Sequence, residues 1–269
     1  MYRIIDFRKY SSLNIGGKHK VKIINTIADY SKYTIIGKAN NLLISNNPPP
    51  LAVLGDEFDY IIQEDDKLIV GATTSSGKLL TYCKKHNIAN LEFLVKLPGS
   101  IGGLTKMNAG LKQWEIFNYI DNITTQDGVF LKNNISHKYR ETNINGIIYE
   151  VVFNIKYGYS IESQKLFVKM RDNQPNLPSA GSCFKNPKVA NSGSLGNFPR
   201  KEHSAGYLIE SVGLKGYRLG NMAFSSIHAN FLVNMGGGTF DEATKLIKLA
   251  VDKVKKEFNI ELELEIQIV

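Results

Sequence analysis

Apolar residues recur at three- and four-residue spacing across residues 239–258, where Ala243, Leu246, Ile247, Ala250, Val251, Val254 and Phe258 share one face. That period predicts an α-helix with one buried stripe. Thr239 followed by Glu242 has the spacing of a capping box at its start. Lysines of the segment fall largely elsewhere and read as a solvated face. A second helix is predicted from a Ser75-Ser76 cap to about His86, with Leu79, Leu80 and Cys83 inward. A shorter one passes through Leu166, Val168 and Met170 and ends near Asn173-Gln174-Pro175.

Strand patterns fill the intervals. Residues 67–72 and 146–157 are rich in β-branched and aromatic side chains. Segments 119–125 and 129–132 flank Gln126-Asp127-Gly128, a hairpin signal. Residues 33–36 and 42–44 flank a turn at 37–41, which predicts strand, turn, strand with backbone amides at one end of a sheet. Strict alternation over 260–266 predicts a strand with Glu261, Glu263 and Glu265 on one face. Helices and strands mix without regular alternation, so the fold class read here is α+β. After residue 161 the texture changes, and 178–199 is rich in Pro, Ser, Gly and Asn.

Composition narrows the function classes. At 269 residues, 43% hydrophobic and 22% charged, the chain suits one large or two modest domains of an ordinary globular protein. No long apolar run occurs, so neither a signal peptide nor a membrane span is expected, and a cytoplasmic location is. Cys83 and Cys183 lie far apart and read as reduced thiols. The histidines form no metal-ligand motif, so no metal site is expected. A net charge of +8 suits a protein that handles polyanions. The lysines are dispersed, however, with no basic stripe interleaved with aromatics, so nucleic acid is not an expected partner. The excess charge reads as solvated surface with some focusing of diphosphate ligands.

One stretch suggests chemistry directly. Leu97-Pro98-Gly99-Ser100-Ile101-Gly102-Gly103, running on to Met107-Asn108-Ala109-Gly110, leaves the backbone little side-chain cover. Such a loop can present N–H groups to a bulky anion. It lacks the spacing of a dinucleotide fingerprint and the Gly-Lys-Ser/Thr end of a P-loop. Composition alone therefore leaves two readings open, a Gly-rich turn and a phosphate-binding loop.

An ordered set of strings adds a resemblance. Pro98-Gly99-Ser100-Ile101-Gly102-Gly103 with Met107-Asn108-Ala109-Gly110 is similar to the flavin signature of the MurB-type UDP-N-acetylenolpyruvoylglucosamine reductases. Tyr139-Arg140, Ser179-Ala180-Gly181-Ser182-Cys183-Phe184-Lys185-Asn186-Pro187, Ala205-Gly206-Tyr207, Gly213-Leu214-Lys215-Gly216 and His228-Ala229-Asn230-Phe231 follow in the family's order. Together they span the chain from Gly37 onward. Alone, Arg140 reads as a surface arginine, Ser182 as a loop serine and Glu265 as one of three solvated glutamates. His228 reads equally as structural or substrate-facing.

The resemblance implies an enzyme that uses FAD and NADPH to reduce the enolpyruvyl group of a UDP-linked sugar, giving UDP-N-acetylmuramate for peptidoglycan. It implies a two-lobed FAD-binding region at 1–164, a smaller α+β substrate-binding domain at 165–258, and a C-terminal strand at 259–269. The implied catalytic residues are Arg140, Ser182 and Glu265. Cofactor contacts fall to Gly37, Lys38, Asn40, Asn41, Leu42, Pro98, Gly99, Ser100, Ile101, Gly102 and Asn108. Tyr139, Asn186 and His228 fall to substrate. The chain departs from the family at Ala39-Asn40-Asn41, where Gly-Ser-Asn is usual, and at Leu111-Lys112-Gln113. It looks like the shorter type, without a tyrosine-bearing insertion. An FAD-linked oxidase of the same fold and a non-catalytic nucleotide-binding module are the rival readings.

Overall fold

The computed structural model describes residues 1–187 and 204–269, so the stretch read at 178–199 lies outside the described residues beyond Pro187. The chain forms two compact units. The first takes Met1–Ile4, Lys20–Lys38 and Pro49–Asp172; the second takes Ile5–His19, Ala39–Pro48 and Asn173–Val269. The main break falls at the Asn173-Gln174-Pro175 punctuation rather than at 164/165. The helix Ile161–Met170 buries Phe167 in the first unit's core, which carries the boundary past it.

In the first unit an antiparallel sheet runs in the order Gly128–Leu131, Ile120–Thr125, Ile148–Asn154, Lys67–Gly71, Ile61–Glu64. Leu68, Val70, Val151 and Phe153 are buried with Leu79 and Cys83 of the helix Ser76–Lys85. Ser75 caps that helix by accepting the Lys78 N–H. The predicted hairpin forms, and pairing of Thr125 with Gly128 leaves Gln126-Asp127 as its two-residue turn. A smaller sheet sets Lys18–Ile24, Leu51–Leu54 and Thr34–Ile35 parallel, with Tyr2–Asp6 at its edge. Ile24, Ala52, Phe58, Ile147 and Tyr149 form a separate core.

In the second unit an antiparallel sheet runs Ser179–Ser182, Phe231–Asn234, Met222–Phe224, Arg218–Leu219. The helix Phe240–Phe258 buries Ala243, Leu246, Ile247, Ala250 and Val254 in a core shared with Met222, Phe224 and Leu232. Both bonds of the predicted capping box between Thr239 and Glu242 are present. Val251 and Phe258 lie at the margin of the stripe, half-buried, and the helix lysines are exposed. Among the described residues no helix is long and apolar enough to cross a membrane.

Two strand expectations need correction. Thr34–Ile35 and Leu42–Leu43 do not share a sheet: the former pairs with Leu51–Leu54, the latter in parallel with Gln267–Ile268. Leu42, Leu43 and Ile44 are buried in succession, so this run requires cover on both faces and takes it within the second unit. Residues 259–266 do not form a regular strand either. Leu264 makes an isolated bridge to Phe184, and ladder pairing begins only at Gln267. Backbone bonds from Lys185 to Glu263 and from Glu265 to Cys183 draw this segment onto residues 183–185. Glu261 and Glu263 are consequently exposed while Glu265 is half-buried, so the three glutamates are not equivalent.

Candidate active site

The Gly-rich stretch is a shorter loop than its composition suggests, because Ile101–Lys106 is helical. The Ile101 N–H donates to the Thr74 carbonyl and the Gly102 N–H to the Ala72 carbonyl, each at 2.9 Å. Two amides expected to face an anion are therefore bonded within the fold, as buried N–H groups must be. A Cβ on Gly102 would stand 2.8 Å from the Ala72 Cβ. Glycine is required here by helix-on-strand packing. Gly37 is exposed but closely approached: its Cβ would stand 2.6 Å from Ser100 Oγ. The turn that starts at Gly37 and the Gly-rich stretch thus meet within the first unit, although they are far apart in sequence.

Around Gly37 the remaining expected contacts differ in setting. Lys38 and Pro98 are exposed, Gly99, Asn40 and Asn41 half-buried, and Leu42 buried. Ala39 holds a φ of 50°, the left-handed region that glycine adopts more readily. The backbone shape expected of the family's glycine is kept here by alanine.

Arg140 occupies the second position of a tight hairpin turn, with Lys138 paired to Glu141 across it and φ at 58°. Its guanidinium donates to the carbonyls of Asn108 (3.4 Å) and Gly110 (3.0 Å) and lies 4.8 Å from the centroid of the Tyr139 ring. Cation–π attraction and carbonyl acceptors together fix its plane. Asn108 is fully buried. Its amide donates to Glu115 Oε2 at 2.8 Å and to the Lys138 carbonyl at 3.1 Å. Its Oδ1 accepts the Phe117 N–H at 3.4 Å. The side chain expected to face a cofactor is thus bonded to the fold, and it ties the Arg140 hairpin to the segment after the Gly-rich stretch.

In the second unit Ser182 ends a strand opposite Phe231. Directly after it, the Cys183 N–H donates to the Asn230 carbonyl at 2.7 Å. The Phe184 N–H donates to Asn230 Oδ1 at 3.0 Å, and Asn230 Nδ2 to the Phe184 carbonyl at 2.8 Å. Asn230 is 3% exposed, so these bonds act where water does not compete. Glu265 donates its N–H to the Cys183 carbonyl at 2.9 Å, and its own carbonyl accepts Asn41 Nδ2 at 2.9 Å. The structure therefore gathers Asn41, Ser182 and Glu265 through one set of backbone clamps. Burial, and after it the Glu265 charge, raises the Cys183 thiol far above its ordinary range, so this thiol is inert.

His228 Nδ1 accepts the Asn230 N–H at 3.2 Å, which assigns the ring proton to Nε2. Burial lowers its pKa, so the ring is neutral near pH 7. The helix Ala205–Ser211 can approach because Gly206 lacks a side chain: a Cβ there would be 3.0 Å from His228 Cε1. Asn186 Oδ1 accepts the N–H of Ala205 at 3.1 Å, at the start of the same helix. The second unit thus assembles Asn186 and His228 at one helix start.

Two residues were not singled out by sequence. Asn230 sat inside a motif string, and its clamp on residues 183–184 needs the fold to be seen. Arg171 is only 6% exposed; its Nη2 donates to the Phe93 carbonyl at 3.4 Å, and its Nε has no partner among the described residues. Burial, then repulsion from Arg140, lowers its pKa to about 10. Among the described residues no carboxylate forms an ion pair with Arg171, and a buried guanidinium that feels a second guanidinium is a setting an anion would stabilise. Its place at the end of an ordinary amphipathic helix gives no periodic signal of this.

Comparison with known proteins follows this geometry. Residues 173–269 match the family described as UDP-N-acetylenolpyruvoylglucosamine reductase, C-terminal domain. The chain is 43% identical over 270 residues to a UDP-N-acetylenolpyruvoylglucosamine reductase of Helicobacter hepaticus, covering 98% of each chain. It is 40% identical over 271 residues to one of Campylobacter jejuni, covering 99% of this chain and 100% of the relative. The crystal structure of a MurB reductase from Thermus caldophilus superposes with a TM-score of 0.81 at 28% identity, covering 100% of this chain and 99% of that one.

Proposed function

The chain belongs to the UDP-N-acetylenolpyruvoylglucosamine reductase family, and on that premise we propose how its residues serve the reaction. It is an oxidoreductase of that type. The substrate is the enolpyruvyl ether of UDP-N-acetylglucosamine, the reductant NADPH and the product UDP-N-acetylmuramate, a peptidoglycan precursor. One hydride and one proton add across the alkene, and NADPH leaves as NADP⁺. Soluble nucleotide substrates suit a cytoplasmic location.

The observation that carries the cofactor reading is the approach of Gly37 to Ser100. Gly37 has no side chain and is exposed, so a diphosphate can approach the backbone where these two stretches meet. Gly37, Lys38, Asn40, Asn41, Leu42, Pro98, Gly99 and Ser100 are the residues assigned to FAD, and Ile101, with its N–H bonded to Thr74, acts through the backbone it positions. Gly102 and Asn108 act through the backbone they position. FAD, when bound, supplies the two-electron relay between NADPH and substrate.

The remaining roles belong to the chain. Arg140 grips the substrate carboxylate and holds the extra charge as that group becomes enolate-like. The Tyr139 ring supports the guanidinium through the cation–π contact at 4.8 Å. Glu265 serves with Arg140 to stabilise that enolate. Ser182 donates its hydroxyl proton to the carbon beside the carboxylate. Asn186 and the His228 Nε2–H bind polar groups of the substrate.

The test is the absorption spectrum of gently purified protein. A flavin band should be present, bleach on anaerobic addition of NADPH, and return on addition of the enolpyruvyl substrate. A colourless protein, or a band that only oxygen restores, overturns the proposal.

A further inference from the structure

The parallel strands of the first unit carry a cluster of lysines and tyrosines near one end. Register aligns Val21 with Leu51 and Leu51 with Thr34, so Lys20, Pro50 and Tyr33 form the row just before the parallel pairing begins. With Tyr2, Lys32 and Leu51 they line an open cleft of about 340 Å³. Gly37 follows the other end of the strand Thr34–Ile35, and no residue lining the cleft is among those assigned to flavin.

The chemistry of the cleft is one-sided. The Tyr2 and Tyr33 hydroxyls are hydrogen-bonded at 2.6 Å. The Lys20 and Lys22 ammonium groups lie 4.6 and 5.2 Å from the centroid of the Tyr2 ring. Lys32 lies 5.4 Å from the centroid of the Tyr33 ring. Among the described residues no carboxylate forms an ion pair with any of these lysines. The Tyr33 hydrogen bond, and after it the lysine charges, hold the Tyr2 phenol below its ordinary pKa. Like charges gathered without counter-charge repel one another, and an anion between them removes that repulsion.

We propose that this cleft is a second anion site, which takes the diphosphate group of a soluble phosphate ester. Ammonium groups bind phosphate as point charges, and the two phenols add hydroxyl donors. A cleft of this size lies within the range that holds a small ligand. Because the cation–π contacts place ammonium groups over ring faces, recognition is directed at charge and not at a stacked base.

The experiment is calorimetric titration of the FAD-saturated protein with inorganic pyrophosphate, then with ADP, at low and moderate salt. Wild type should bind both, more weakly as salt rises. Lys20→Gln/Lys32→Gln should weaken binding by about tenfold or more, because two converging charges are lost. Tyr2→Phe, which keeps every charge, should weaken it by about threefold. Lys84→Gln/Lys85→Gln, in the exposed last turn of another helix, should bind as wild type. Reductase activity without pyrophosphate should be unchanged in all of these variants. Absence of binding by wild type at millimolar pyrophosphate overturns the proposal. So does wild-type binding by both Lys20→Gln/Lys32→Gln and Tyr2→Phe, each checked by circular dichroism; Tyr2→Phe decides alone if the lysine variant does not fold.

Discussion

The side-chain amide of Asn41 donates to the backbone carbonyl of Glu265 at 2.9 Å, across 224 positions of sequence. The Asn41 carbonyl in turn accepts the Gln267 N–H at 2.9 Å, so both bonds hold the terminal segment. Asn41 thus positions the glutamate proposed to act on the enolate, whatever it also offers a cofactor.

Removing that donor should loosen Glu265. Asn41→Ala should lower stability by about 1 kcal/mol, the usual net value of one hydrogen bond. Asn41→Asp keeps the shape but sets a carboxylate against a carbonyl, so it should be at least as damaging. In both variants reduction of the enolpyruvyl substrate should slow more than the bleaching by NADPH. Chemical denaturation and rapid-mixing absorbance check the two effects. A wild-type substrate step in Asn41→Asp would show that Glu265 does not depend on this bond.

Gly102 gives a second prediction, in which packing and cofactor access separate. Gly102→Val sets a β-branched side chain where the Ala72 Cβ already stands 2.8 Å from the Cβ position. Overpacking of this kind typically costs about 1–3 kcal/mol. Gly102→Ala should cost less, and Ala72→Gly should restore much of that loss. Thermal unfolding of the three proteins and the double variant measures the coupling. Strict additivity would show that the two positions do not meet. Flavin content that follows stability in the whole series would place the effect in packing rather than in blocked backbone approach.

Much of this was legible locally. The long helix, its capping box and the Gln126-Asp127 turn follow from spacing and turn chemistry, which act within a few residues. The destination of short apolar runs was not legible. Leu13, Ile15 and Leu43 join the second unit's core from the N-terminal region, and nothing in a run of two or three apolar residues names its partner. Glu265 shows the same limit: alternation placed it with Glu261 and Glu263, and long-range bonds to Cys183 and Asn41 set it apart. Gly102 was legible as glycine, but the reason for it, the contact with Ala72, was not.

His228 predicts a pH dependence of stability. Burial lowers its folded pKa below the ordinary value of 6.5. Above that value both folded and unfolded states are neutral at this site, and it contributes nothing. As pH falls through 6.5 the unfolded chain takes up a proton that the folded chain does not, so stability falls with pH. The loss stops growing once pH drops below the folded pKa. His228→Gln should flatten this part of the curve. Unfolding midpoints between about pH 5 and 7.5 test it, and an unchanged slope in the variant would assign the dependence to another group.

Ser182→Ala is the sharpest test of the chemistry. The substitution removes one hydroxyl and leaves the strand pairing with Phe231 and the Asn230 bonds to Cys183 and Phe184, which all run through other atoms. Stability and flavin content should therefore stay near wild type. Bleaching of the flavin band by NADPH should also be unchanged, because proton donation to the substrate has no part in that half-reaction. Return of the band with the enolpyruvyl substrate should slow by about 10²–10⁴-fold, the usual range for general-acid help. Substrate should still bind, since one hydroxyl contributes only about 0.5–1.5 kcal/mol to affinity. Rapid-mixing absorbance follows the two half-reactions separately. Equal slowing of both would give Ser182 a structural role, and an unchanged second step would mean that the proton comes from a different group.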